Sequence, residues 1–330
     1  MIFDRFRGEM FYHPGGPDPM DFWLQQWLEC RGVYEATKTL ANKINQEYTD
    51  PSQTEKPVGS DGRIEMGGWF KPIYGPQLEC DQNEVKKQKD RIEEKNKNQN
   101  PDVQLGVRLE RACFVGLNET LGEDLLILRA SEWDDFFGGI DLILIDKKSG
   151  QILGVIDTVL VEVSPQEDKW DLGGRSPEKF CRNFSANLKG GKNIKYPLHL
   201  SEIDKKPRLV ASPELKNIPS FTFSVSEEML RNIERAFRNP QNEEEGKQIE
   251  EERKEVEKSF VKTFIETILF QIGVIPDEKT NTIYREVFSK ESEELSKQVE
   301  QQYKGKPRKF IDDVYSKIYV HKQKDMEDHA

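Results

Sequence analysis

Ile140-Asp141-Leu142-Ile143-Leu144-Ile145 is an aliphatic run carrying one acid; Asp146-Lys147-Lys148-Ser149-Gly150 follows, and then a second apolar run from Ile152 through Val163. Each run suits a strand, and the polar, glycine-ended stretch between them predicts a hairpin. The second run repeats the anomaly of the first: Asp157 stands inside Val155-Ile156-Asp157-Thr158-Val159-Leu160-Val161. Strand alternation puts Asp141 on the face of Ile143 and Ile145. A carboxylate in such a row is costly unless it is paired, protonated or bound to a cation. Asp141 lies nine residues before Gly150 and Asp157 seven after it, so the hairpin is expected to bring the two close. Neighbouring carboxylates repel, and a divalent cation resolves the conflict. Hard oxygen ligands suit Mg²⁺ or Mn²⁺. Glu110, on a preceding amphipathic stretch, is a candidate third ligand.

Outward from the hairpin, Val103 to Leu117 has helical spacing and Leu125-Leu126-Ile127-Leu128 reads as a strand. Ser176 with Pro177 starts a helix reaching Leu188. Leu209-Val210 and Phe221 to Val225 supply further strands, and Ser226 caps a helix to about Phe237. The order is helix, three strands, helix, strand, helix. Composition sets three regions around this plan: 1–100, an N-terminal helix and a polar linker, whose Lys86 to Asn100 stretch reads as a linker or an exposed helix; 101–239, the α/β core; 240–330, charged and helical. The first region opens with Asp21 to Leu28 and continues through Val33, Tyr34, Ala36, Leu40 and Ile44 in one amphipathic pattern. Trp23 and Trp27 share a face that packs on the core or meets a protein partner. In the third region Val256, Phe260, Val261, Phe264, Ile265, Ile268 and Leu269 form an apolar stripe, and Tyr284 to Tyr303 and Phe310 to Tyr319 are expected helices.

Composition excludes several classes. The 330 residues carry 33% charged and 35% hydrophobic side chains, too few apolar residues for a uniformly packed chain. No run approaches the roughly 18–20 apolar residues of a membrane span, so no membrane is expected as a partner. No secretory leader is evident, and Cys30, Cys80, Cys113 and Cys181 stand apart without a C-x-x-C pair. A cytoplasmic location is the expectation. The net charge is −11, yet Ser176 to Leu209 holds eight lysines and arginines against three acids. Such a strip suits a polyanion, with Lys189, Lys192 and Lys195 as phosphate contacts and Tyr196 as a base-stacking side chain.

Glu110, then Asp134-Asp135-Phe136-Phe137-Gly138-Gly139-Ile140-Asp141, then Gly154-Val155-Ile156-Asp157-Thr158 together resemble the core of the PD-(D/E)XK nuclease-like superfamily. The resemblance covers roughly Val103 to Arg238. It implies an α/β fold with an αβββαβ restriction-endonuclease-like core, here with an N-terminal helix and a C-terminal helical extension. It also implies a Mg²⁺-dependent phosphodiesterase acting on nucleic acid, DNA more than RNA, with Asp141, Asp157 and Glu110 as catalytic acids and metal ligands. Val159 stands where the superfamily has its lysine, and Lys195 is the first candidate to replace it, with Lys192 and Lys189 behind. The alternative is a non-catalytic nuclease-fold module for binding or assembly.

Overall fold

Leu142, Ile143, Leu144 and Ile145 are all fully buried, which explains a run with no polar alternation: a strand covered on both faces needs apolar side chains on both. They form the centre of a mixed four-stranded sheet. The structure, a computed structural model, describes residues 19–96, 101–161, 179, 182–183, 186, 190–238, 240 and 242–272. Strand β1 (Leu125–Arg129) pairs antiparallel with β2 (Leu142–Asp146), and β2 with β3 (Ile152–Val161). The hairpin registers Leu142 on Ile156 and carries an irregularity at Leu144/Ile145. Gly150 closes it at φ +74°, where a Cβ would lie 2.0 Å from the carbonyl oxygen of Leu200, so only glycine fits.

Strands β4 (Lys192–Ile194), β5 (Leu198–Ile203), β6 (Lys206–Ala211) and β7 (Leu215–Ile218) pair off the main sheet, β4 with β7 and β5 with β6. The Asp204-Lys205 turn between β5 and β6 has both φ angles positive, as a two-residue hairpin turn of type I′ requires. Strand β8 (Ser220–Ser226) then returns parallel to β3, giving the sheet order β1-β2-β3-β8. A parallel pair needs a long crossover. Residues 179, 182, 183 and 186 on that crossover are helical, and Asn183 Nδ2 donates to Thr222 Oγ1 at 2.8 Å, pinning it to β8.

Seven α-helices are found among the described residues: α1 (Pro19–Tyr48), α2 (Lys71–Tyr74), α3 (Pro76–Asn96), α4 (Pro101–Leu121), α5 (Glu132–Gly138), α6 (Glu227–Ala236) and α7 (Glu243–Ile272). α4 lies against β1 and β3, and α7 against β8 and α4. Phe260 and Phe264 of α7 meet Phe223 of β8 edge-on, at 5.2 and 5.1 Å between centroids. Ser226 caps α6 by accepting from the Met229 amide, as its position before Glu227-Glu228-Met229 predicts. A single cluster of buried side chains runs from Val33 to Phe264, across the boundaries that composition suggested near residues 100 and 239.

Some expectations are sharpened. The polar stretch from Lys86 to Asn96 belongs to a 21-residue helix, α3, the second of the two forms expected for it; Leu78, Asp81 and Val85 of that helix are buried. The preceding Gly- and Pro-rich stretch is also ordered, with Ile64 N donating to Arg129 O and Arg129 N to Gly62 O. The Trp23/Trp27 side-chain face and the stretches Tyr284–Tyr303 and Phe310–Tyr319 lie outside the described residues. Among those described, no helix is long and apolar enough to cross a membrane.

Candidate functional site

Asp141 stands one residue before β2, and its placement is fixed on both sides: its N donates to Ile156 O at 2.8 Å, and Ala130 N donates to its O at 2.9 Å. Its side chain turns onto β3. Oδ2 accepts from Thr158 N at 2.6 Å and from Thr158 Oγ1 at 2.7 Å, so the carboxylate takes over an acceptor position at the end of the ladder. The motif threonine after Asp157 is therefore a clamp for Asp141.

Two more acids converge on it. Helix α5 starts at Ser131, whose hydroxyl accepts from the Asp134 amide, and ends at Gly139 in the left-handed region. This short helix swings Asp135 toward α4. One oxygen each of Glu110, Asp135 and Asp141 lies within 4.8 Å of the others. Burial, then the charges of Glu110, Asp157 and Asp135, push Asp141 up to about 8. Asp135 is pushed up to about 6 by burial and by Glu110.

Arginines hold the rim. Arg63 reaches Glu110 Oε2 and Asp135 Oδ2, both at 2.7 Å, and Arg129 Nη2 also donates to Glu110 Oε2. Arg129 Nη1 donates to the Asp61 carbonyl at 2.9 Å and carboxylate at 3.2 Å. The site is thus built from α4, α5, the start of β2 and an arm reaching in from residues 61–63.

Asp157 is 1% exposed and has a different fate. Its Oδ1 accepts from Lys179 Nζ at 2.7 Å and its Oδ2 from Arg182 Nη2 at 2.5 Å. Lys179 Nζ also donates to Thr158 O at 3.1 Å. Burial disfavours the Lys179 ammonium, but Asp141 and Asp157 outweigh it and raise its pKa. Lys192 Nζ donates to Gly139 O at 2.7 Å; burial lowers its pKa to about 8, despite the nearby Asp157 charge.

Glu110 and Asp141, expected as ligands, are therefore brought together, and Asp135 completes the cluster. Asp157 neighbours Asp141 electrostatically, but both of its oxygens are engaged by cations. Lys195 is corrected: its Nζ lies 2.5 Å from Asp81 and 4.0 Å from the Trp133 centroid, and Lys179 instead supplies the ammonium beside the two aspartates. Tyr196 is corrected too. It is fully buried against Phe70 and Tyr74 and its hydroxyl donates to Asp81, so its ring cannot stack on a base. Lys189 lies outside the described residues.

Sequence reading missed Asp135, Arg63 and Arg129, and counted Lys179 and Arg182 within the basic strip without singling them out. Lys179 and Arg182 are three apart on the helix after β3, a spacing that places both on one face. Asp135 sat within the quoted Asp134-Asp135 pair but carried no signal to separate it from its neighbour. Nothing local marks Arg63.

The donor set is of a kind that could hold a metal ion. All three are hard oxygen donors. Each is oriented through one oxygen: Glu110 by Arg63 and Arg129, Asp135 by Arg63, Asp141 by Thr158. No family model, curated protein or solved structure matches this chain.

Proposed function

We propose that this protein is a Mg²⁺- or Mn²⁺-dependent phosphodiesterase acting on nucleic acid, DNA in preference to RNA, on a PD-(D/E)XK-like αβββαβ core. The observation that carries the reading is the convergence of Glu110, Asp135 and Asp141 oxygens at the mouth of β2, beside the Asp157–Lys179 pair. The sheet order, with three antiparallel strands followed by a parallel fourth after a helical crossover, supports it.

In this reading Glu110, Asp135 and Asp141 hold the cation, and Thr158 and the two arginines fix their orientation. A bound cation supplies Lewis acidity toward the phosphate and lowers the pKa of a water. Lys179 takes the post left empty at Val159, reaching the third strand from the following helix with its ammonium kept charged by Asp141 and Asp157. Arg182, with its side chain half exposed beside Asp157, meets the substrate phosphates from the open side. The experiment is incubation of the purified protein with Mg²⁺ or Mn²⁺ and with DNA or RNA, beside Asp141→Asn, which preserves an acceptor for Thr158. Cleavage by wild type alone is the expected result; equal activity in both, or in neither, ends the reading.

A second reading, a non-catalytic module for binding or assembly, is favoured by one feature: Arg63 already bridges Glu110 and Asp135, so those acids have a resident counter-charge. Calorimetry separates the two. Mn²⁺ binding that disappears in Asp141→Asn belongs to the first reading, and no heat from wild type to the second.

A further inference from the structure

Arg111 follows Glu110 on α4 and lies near Arg63 and Arg129, the two arginines that hold Glu110. Arg111 is 8% exposed, and its Cζ sits 3.4 Å from the centroid of the Tyr34 ring on α1. Among the described residues no carboxylate forms an ion pair with it and no acceptor takes a hydrogen bond from it; its Nε is wholly shielded from water. Arg129, beside it, also has a buried Nε without an acceptor, while its two Nη atoms serve Asp61 and Glu110. Asp61, whose charge favours the Arg111 guanidinium, is engaged by Arg129 at 3.2 Å and Arg63 at 3.5 Å.

A guanidinium stays charged in any protein environment, so Arg111 cannot relieve its burial by losing a proton. Burial is the main influence weakening its hold on that proton, and the Arg129 and Arg63 charges add to it. The Tyr34 ring offsets only part of this. A buried, unpaired charge is among the most unfavourable arrangements a fold can carry. The ring covers one face of the guanidinium; Nε is the nitrogen wholly shielded from water, which leaves the two Nη atoms as the donors a ligand can reach.

We propose that Arg111 anchors an oxyanion site, whose ligand is a phosphate group presenting two oxygens to the guanidinium edge. The planar fork matches two coplanar oxygens, and the one unbalanced positive charge matches the single negative charge of a phosphodiester. The site goes beyond the proposed hydrolysis, because neither a metal nor bond cleavage enters it. Two sources share this chemistry: free inorganic phosphate and the backbone of a polynucleotide.

The test is thermal unfolding of metal-free wild type and Arg111→Met at constant ionic strength, in chloride, in inorganic phosphate, and with a short oligonucleotide lacking terminal phosphates. Inorganic phosphate or the oligonucleotide is expected to raise the wild-type Tm by about 2–4 °C at saturating concentration. Arg111→Met is expected to show no such rise and to melt above wild type in chloride, since its unpaired charge is gone. A shift with the oligonucleotide alone assigns the site to a backbone phosphate; a shift with inorganic phosphate assigns it to a free anion. Absence of any wild-type shift, or an equal shift in Arg111→Met, overturns the proposal. Should Arg111→Met fail to fold, Arg111→Lys retains the charge without the fork; a full shift there overturns it equally. Cleavage by wild type and its loss in Asp141→Asn are read independently, so failure of one proposal does not entail failure of the other.

Discussion

Asp134 and Asp135 are adjacent on α5, yet they enter two opposite kinds of buried charge network. Asp134 accepts from Ser131 Oγ at 2.7 Å, Lys195 N at 2.7 Å and Tyr196 N at 3.1 Å. Next to it Asp81 accepts from Gln77 at 2.9 Å and from Tyr196, and pairs with Lys195 at 2.5 Å. Those donors outweigh burial and hold Asp81 below the usual carboxylate range. On the other side of α5, Asp135 joins Glu110 and Asp141, where acid meets acid and Asp141 is pushed up to about 8 by burial first and those charges next. One network is saturated with donors and ties α3 and α5 to the stretch after β4. The other is left short of positive charge at its centre. In the proposed reading saturation is a structural device, and shortage is the place where the cation completes the fold.

The largest expected effect tests the unsaturated side. Asp141→Asn is expected to lower Mg²⁺-dependent cleavage by about 10³-fold, since the loss of a cation's charge stabilisation is worth several kcal/mol. Lys179→Met is expected to cost about 10²-fold. Asp81→Asn, on the saturated side, is expected to leave cleavage per folded molecule unchanged. Single-turnover rates on one DNA substrate decide all three, and a comparable loss in Asp81→Asn would erase the distinction.

Next comes stability on the saturated side. Asp134→Ala orphans the Lys195 and Tyr196 amides, and each buried unsatisfied donor costs about 1–3 kcal/mol, so a loss of about 3 kcal/mol is expected in urea unfolding. The same measurement on Asp135→Asn is expected to show little loss or a gain, because removing one of three crowded acids relieves repulsion.

The sheet was legible because it follows from local chemistry. Leu142 to Ile145 and Val155 to Val161 have few alternatives to buried strands, and the glycine at 150 locates their turn. Ser226, standing before Glu227, Glu228 and Met229, announced α6. The site was only half legible. Asp141 stood out because an acid in an aliphatic row is improbable without a reason. Asp135 did not, because the choice between it and Asp134 is made by the rotation of α5, which depends on its Ser131 cap and on the distant Lys195 and Tyr196 amides. Arg63 enters from 47 residues before Glu110 in sequence, through a single pairing of the Gly62–Ile64 backbone with Arg129. Lys195 was the first candidate for the missing lysine; in three dimensions it follows the end of β4 and its ammonium meets Asp81.

A pH series sharpens the same contrast at intermediate magnitude. Asp141 has a folded-state pKa of about 8 against an ordinary 3.8, so between those values the folded chain keeps a proton that the unfolded chain has released. Stability from this group is therefore present at low pH and is lost as pH rises from about 4 to about 8. Asp135, raised to about 6, adds to the loss over the lower part of that window. Metal-free wild type is expected to lose stability across this range more steeply than Asp141→Asn, which should be the more stable of the two at pH 8 by about 2 kcal/mol. Parallel curves for the two proteins would show that the acids are not crowded in solution.

The smallest effect discriminates between the two lysines that compete for the role missing at Val159. Lys195 has a side chain 25% exposed, and its pair with Asp81 shares that acceptor with Tyr196, so replacing it leaves Asp81 still bonded. Its stacking over Trp133 is partly retained by a methionine, whose chain has similar reach. Lys195→Met is therefore expected to cost about 1 kcal/mol of stability and no cleavage activity. Lys179 differs in what surrounds it: removing its ammonium leaves Asp157 with Arg182 alone, and Asp141 with one fewer nearby positive charge. A tenfold or greater fall in cleavage for Lys195→Met, at unchanged stability, would move the ammonium function to the stretch after β4 and place the saturated network inside the active site.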